Sequence, residues 1–133
     1  MSRLSTIHVL ATTPLDTRAA LTRASQLAGG LGAILRVIVP EVVSYRLNVE
    51  IPVPDPTSVA DVYRTMASRM GIVADVRLCV CRRTSDVYRA LLPERSIVVI
   101  GGRQRWWPWP NATVRTARML ESLGHRVVIV DHT

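Results

Sequence analysis

The chain has 133 residues, 48% of them apolar, and carries 17 Lys+Arg against 10 Asp+Glu, a formal net charge of +7. This length and composition exclude a disordered chain and fit one domain, residues 1–133, with a core of its own. The apolar stretches are broken by Arg36, Arg77 and Arg126 before they reach the ~20 residues of a membrane-spanning helix, and every basic residue is an arginine, a group suited to phosphate and carboxylate.

The opening segment, Met1-Ser2-Arg3-Leu4-Ser5-Thr6, has no long apolar run behind it, which predicts a cytoplasmic chain without a secretory leader. Residues 7–11 read as a short strand. Thr13 before Pro14 reads as an N-cap followed by proline in the first helical turn. Ala20, Ala24, Leu27, Ala28 and Leu31 then recur at helical spacing, and Gly29-Gly30 with Gly32 close that helix. Residues 33–39 form the next strand, which Pro40 is expected to end. Pro40, Pro52, Pro54 and Pro56 make residues 40–57 a long irregular connection, of the kind that is usually functional or mobile. Ser58 and Asp61 resemble a capping box, and Val59, Val62, Tyr63, Met66 and Met70 give the apolar stripe of a second helix stopped by Gly71.

Residues 73–81 alternate, with Val76, Leu78 and Val80 on one face and Arg77, Cys79 and Cys81 on the other. Two cysteines at i and i+2 of a strand point the same way and are poorly placed to bond to each other, so they read as small core thiols. Thr84 or Ser85 caps a short helix through Leu92, broken by Pro93. Residues 96–100 form a continuously apolar strand, as a buried parallel strand does, ended by Gly101-Gly102. Asn111 opens a last helix over 112–123, Gly124 ends it, His125 reads as a turn residue, and residues 126–130 form a fifth strand. Strands alternating with helices in this way predict an α/β fold, a five-stranded parallel sheet with helices on both faces.

The run Ile7-His8-Val9-Leu10-Ala11-Thr12-Thr13-Pro14-Leu15-Asp16-Thr17-Arg18-Ala19-Ala20-Leu21 resembles the opening strand, turn and first helix of the universal stress protein family. Leu31-Gly32-Ala33, leading into an apolar strand that ends in Val39, and Ser96-Ile97-Val98-Val99-Ile100-Gly101-Gly102-Arg103 are similar to later family segments. The resemblance implies a Rossmann-type sheet, a role in stress response or signalling, ATP or another adenine nucleotide as ligand, and a homodimer. It also admits a regulatory domain acting on a transporter. In the family the dimer often forms through edge strands, which here implicates Val127, Val128 and Ile129. ATP-binding members carry an aspartate where Thr12 stands, and a phosphate loop of Gly, two residues, Gly, nine residues, then Gly-Ser/Thr. Gly101 matches its first glycine, Gln104 stands at the second, and the Gly-Ser/Thr step has no counterpart near residues 111–114.

In open α/β sheets a ligand sits beyond the carboxyl ends of the strands, where strand order reverses. That rule gathers a candidate ligand-binding set: Ala11, Thr12, Thr13, Val39, Gly101, Gly102, Arg103, Arg105, Asn111, Ala112 and Thr113. All three tryptophans, Trp106, Trp107 and Trp109, lie in the same connection. They read as a partner-contact or packing surface, or else as a platform on which a base stacks beside arginine and a helix N-terminus. A nucleic-acid module built on arginine and tryptophan is a second function class, testable by whether the arginines form one stripe beside the tryptophans. Nucleic acid is nevertheless not the expected partner. A nucleotide hydrolase would need a metal-binding carboxylate near the crevice, and Asp16 alone is close in sequence. With no Walker loop, triad spacing or paired carboxylates, the expectation is a non-enzymatic chain with no catalytic residue, and the two cysteines and scattered histidines offer no metal-ligand spacing.

Overall fold

The structure, a computed structural model, describes residues 6–42, 56–91, 96–103 and 111–131. The elements run β1 (Thr6–Leu10), α1 (Pro14–Leu31), β2 (Ile34–Val42), α2 (Pro56–Arg69), β3 (Ala74–Cys81), α3 (Thr84–Leu91), β4 (Ile97–Gly101), α4 (Ala112–Ser122) and β5 (Arg126–Val130). All five strands are parallel, in the order β3-β2-β1-β4-β5. The predicted α/β sheet is therefore present, and β1 lies at its centre, where the strand order reverses.

Two apolar layers cover the sheet, and the two-residue period of each strand decides which side chain enters which layer. Ile7, Val9, Leu35, Val37, Val39, Val76 and Val99 face α1 and α2, meeting Ala20, Leu21, Ala24, Ala60 and Tyr63. Leu10, Ile38, Val98 and Ile100 face the other way, toward Tyr88 of α3 and Leu120 of α4. Ala20 and Ala24, both 0% exposed, are small enough to let α1 approach the sheet closely, and Leu21 beside them is also fully buried.

The helix ends largely follow their sequence signals. Thr13 Oγ1 accepts a hydrogen bond from the Asp16 N–H at 3.2 Å, with Pro14 opening the helix. Asn111 Oδ1 does the same for the Val114 N–H at 3.1 Å. Replacing Thr13 by alanine is expected to lower stability by about 1 kcal/mol, since one first-turn N–H loses its acceptor; a urea titration of the T13A protein checks this.

Four local expectations are corrected. Helix α1 continues through Gly29 and Gly30 and ends at Gly32, whose φ of 64° gives it the left-handed cap conformation. Pro40 does not end β2, which runs on to Val42 in register with Cys79, Val80 and Cys81 of β3. The Ile38 carbonyl points toward β1 and accepts from the Ala11 N–H, so two residues later the missing N–H of Pro40 falls on the side that β1 has already left. Helix α2 starts at Pro56, with Ser58 inside its first turn rather than capping it, because proline is pre-organised for the first helical position. Val62 is 50% exposed, not part of the buried stripe that Val59, Tyr63, Met66 and Met70 contribute. Most of the 40–57 connection lies outside the described residues.

The cysteines are free and half-buried, packed at the edge of the α3–α4 layer. Burial pushes the Cys81 thiol up, and nearby Cys79, Asp86 and Glu41 push it the same way. His125 does more than turn the chain: it is 7% exposed, and its Nδ1 accepts the Ser96 N–H at 3.2 Å.

Candidate functional site

The carboxyl ends of β1 and β4 meet where strand order reverses, and the residues following β1 are held from several sides. The Thr12 N–H donates to Thr17 Oγ1 at 2.9 Å, and the Tyr63 hydroxyl donates to the Thr12 carbonyl at 3.0 Å. Thr12 Oγ1 lies 3.4 Å from the Gly101 carbonyl, a long hydrogen bond that links the two strand ends. Thr17 is 0% exposed and Tyr63 5%, so the turn rests on buried polar groups. Burial pushes the Tyr63 hydroxyl up, keeping it a donor at neutral pH. Tyr63→Phe is expected to remove about 1 kcal/mol of stability by leaving the Thr12 carbonyl without that donor, measurable by thermal and urea unfolding.

The β4 end is packed so closely that side chains are excluded from it. A Cβ on Gly101 would lie 1.9 Å from the Asp16 carbonyl oxygen, so the first turn of α1 rests directly on this glycine. Gly102 has φ 153°, and a Cβ there would meet Thr113 Oγ1 at 2.4 Å. The Gly102 N–H donates to the Val130 carbonyl at 2.9 Å, tying the same point to the end of β5. Asn111 Nδ2 donates to the Arg103 carbonyl at 2.5 Å, bringing the start of α4 back to the end of β4.

Of the expected ligand set, the structure gathers Thr12, Gly101, Gly102, Arg103, Asn111 and Thr113 around this end of the sheet. Ala11 and Val39 are at neighbouring strand ends but are buried, at 8% and 3% exposure, and Val39 is part of the α1–α2 core. Thr13 is spent on capping α1, and Ala112 is exposed in the first turn of α4. Arg105, Trp106, Trp107 and Trp109 lie outside the described residues. Val127, Val128 and Ile129 are half-buried on the edge strand β5, packing alternately into the two layers. Sequence reading missed Thr17, Tyr63 and the backbone of Asp16. They lie in helices, and nothing local marks them as neighbours of strand ends.

The described arginines do not form one stripe. Arg18, Arg23, Arg64 and Arg69 are on α1 and α2, while Arg82, Arg83, Arg89, Arg115 and Arg118 belong to the α3–α4 side of the sheet. No helix among the described residues is long and apolar enough to cross a membrane.

No family model matches the sequence, nor does any curated protein. Solved structures do match. One is a protein from the universal stress protein family of Burkholderia pseudomallei, 18% identical, with a TM-score of 0.56 over 95% of each chain. A universal stress protein in complex with cAMP is 15% identical, with a TM-score of 0.62 over 99% of this chain and 100% of the other. The universal stress protein of Archaeoglobus fulgidus in complex with dAMP is 11% identical, with a TM-score of 0.58 over 98% and 99% of the two chains. The fold is that of the universal stress proteins.

Proposed function

We propose that the chain is a non-catalytic regulatory module of universal-stress type that binds an adenine nucleotide, or another anionic ligand, beyond the ends of β1 and β4. The observation that carries this reading is the meeting of Thr12 with Gly101 at the reversal of strand order, the place where open α/β sheets hold ligands. The first N–H groups of α4 lack intrahelical acceptors, and the positive end of that helix favours negative charge. The cAMP and dAMP held by two proteins of the same fold support an adenine nucleotide in particular. In this reading the connection between Gly101 and Asn111 transmits occupancy to a partner, and the protein works in the cytoplasm as a homodimer through its β5 edge.

The distribution of the arginines on both sides of the sheet favours this over a single nucleic-acid groove. The deciding experiment is calorimetric titration with ATP, ADP, AMP and cAMP, with and without magnesium, following tryptophan fluorescence in parallel. Saturable heat accompanied by a fluorescence change is the expected result. Neither signal at millimolar nucleotide would remove the nucleotide reading and leave the tryptophan connection as a protein-contact surface.

A further inference from the structure

On the opposite side of the sheet from α1 and α2, a cleft of about 400 Å³ opens between α3 and α4. It is lined by Arg82, Arg83, Ser85, Tyr88, Arg115, Thr116 and Met119, three guanidinium groups and three hydroxyl groups with no carboxylate among them. The arginines come from different parts of the chain: Arg82 and Arg83 precede α3, and Arg115 is in the first turn of α4. Arg83 and Arg115 take no part in the ion pairs of Arg36 and Arg77 with Asp75 or of Arg64 with Asp61. Arg82 has an interaction of its own and serves here only as a lining residue.

Tyr88 supplies the second, independent observation. It is 4% exposed, its ring packed with Leu10, Ile38 and Leu120, yet it also lines the cleft. Its hydroxyl makes no hydrogen bond among the described residues. The ring is seated in the core, while the hydroxyl is not among the buried polar atoms left without a partner, which fits an oxygen reached from the arginine-lined cleft. Burial pushes its pKa up to about 12, so it remains a proton donor throughout the neutral range.

We propose that the α3–α4 cleft is a second binding site, for a phosphate group, with Arg83 and Arg115 pairing its oxygens and Tyr88 donating to it. Guanidinium forks give charge-assisted, bidentate hydrogen bonds to phosphate, and Ser85 and Thr116 add hydroxyl donors at the rim. The volume suits a small phosphate ester, and a phosphate of a single-stranded nucleic acid offers the same chemistry. This site is independent of the nucleotide reading at the β1 and β4 ends, which shares none of its residues.

The test is a titration of the ¹⁵N-labelled full chain with inorganic phosphate at constant ionic strength, following the arginine Nε–Hε and tyrosine ring signals. Arg83, Arg115 and Tyr88 are expected to shift together and to saturate. R83Q and R115Q should each weaken phosphate binding about tenfold, whereas R69Q, on α2, should leave it unchanged. Tyr88→Phe removes only a hydroxyl that bonds to none of the described residues, so the fold should persist while phosphate affinity falls severalfold. Shifts that grow linearly at all arginines, equal weakening by R69Q, or full affinity in Y88F would each overturn the site. Competition by glycerol 3-phosphate but not by a single-stranded oligonucleotide identifies a free ester as the source, and the converse identifies a nucleic-acid backbone.

Discussion

Gly101→Ala is expected to lower stability by ~3 kcal/mol or more, the largest effect of any glycine-to-alanine change in this chain. The added carbon would lie 1.9 Å from the Asp16 carbonyl oxygen and 2.5 Å from its carbonyl carbon, and both are backbone atoms. No rotamer change can relieve such a clash, so either the first turn of α1 lifts away or β4 is displaced. Lifting α1 would strain the Thr12–Thr17 hydrogen bond and uncover Ala20 and Leu21, both 0% exposed. Gly32→Ala is the useful contrast. Its φ of 64° disfavours a side chain, but nothing lies within 4 Å of the added carbon, so the penalty is conformational and about 1 kcal/mol. Urea unfolding of the two variants separates the cases. A G101A protein within about 1 kcal/mol of the parent would show that α1 yields easily at this point.

The second large effect is a loss of stability on mild acidification, traceable to His8. This residue is 0% exposed in the middle of β1, and neither ring nitrogen has a hydrogen-bond partner. Burial, then the Arg36 guanidinium paired alongside it in β2, then His125, lower its pKa from 6.5 to about 4. The folded chain therefore holds this imidazole neutral while the unfolded chain protonates it below about pH 6.5. Between these two values the unfolded state binds the extra proton, so stability falls as pH falls. From pH 7.5 to pH 5 the expected loss is about 2 kcal/mol, at ~1.4 kcal/mol per pH unit below 6.5. Asp75 does not mask this window. Its carboxyl is lowered chiefly by the hydrogen bond from Arg77, so its contribution is retained above the unfolded value of 3.8 and lost only as pH falls further. His8→Leu should flatten the stability profile between pH 7.5 and pH 5 and, by removing two unsatisfied nitrogens, match or exceed the parent at neutral pH. An undiminished acid slope in H8L would assign the loss to other groups.

Much of this molecule is legible where one residue type forces one local geometry. Thr13-Pro14 and Asn111 both cap helices as their side chains dictate, and Gly32 ends α1 in the left-handed conformation. The two-residue period of β3 sends Val76 and Leu78 to one layer and Cys79 and Cys81 to the other, as their alternation implies, while Val80 at the end of that strand is 59% exposed. Pro40 misleads because its effect depends on which side of β2 still has a neighbour, a fact belonging to the sheet and not to the strand. Ser58 misleads because a capping signal and a proline compete within one turn. The close contact of Gly101 with Asp16 joins residues far apart in sequence, so composition alone shows a glycine after a strand and nothing of what presses on it. The α3–α4 cleft has the same character, since Arg83 and Arg115 look like ordinary surface charges until α3 and α4 are set side by side.

The central position of β1 also governs how the nascent chain can close. Ile7 pairs with Leu35 on one side and with Ile97 on the other, so its second neighbour is still unmade when the first is complete. At ~5–20 residues per second on the ribosome, that partner trails by several seconds. During that interval β1, α1, β2, α2 and β3 can assemble, but one flank of the innermost strand stays open, with its amides and carbonyls unpaired. An open flank of this kind is a template for another chain, which makes the half-made product the aggregation-prone species. Arrival of β4 seals it, and the same step brings Gly101 against α1, so closure of the innermost strand and the meeting of the two strand ends that flank the candidate crevice are one event in the life of the polypeptide.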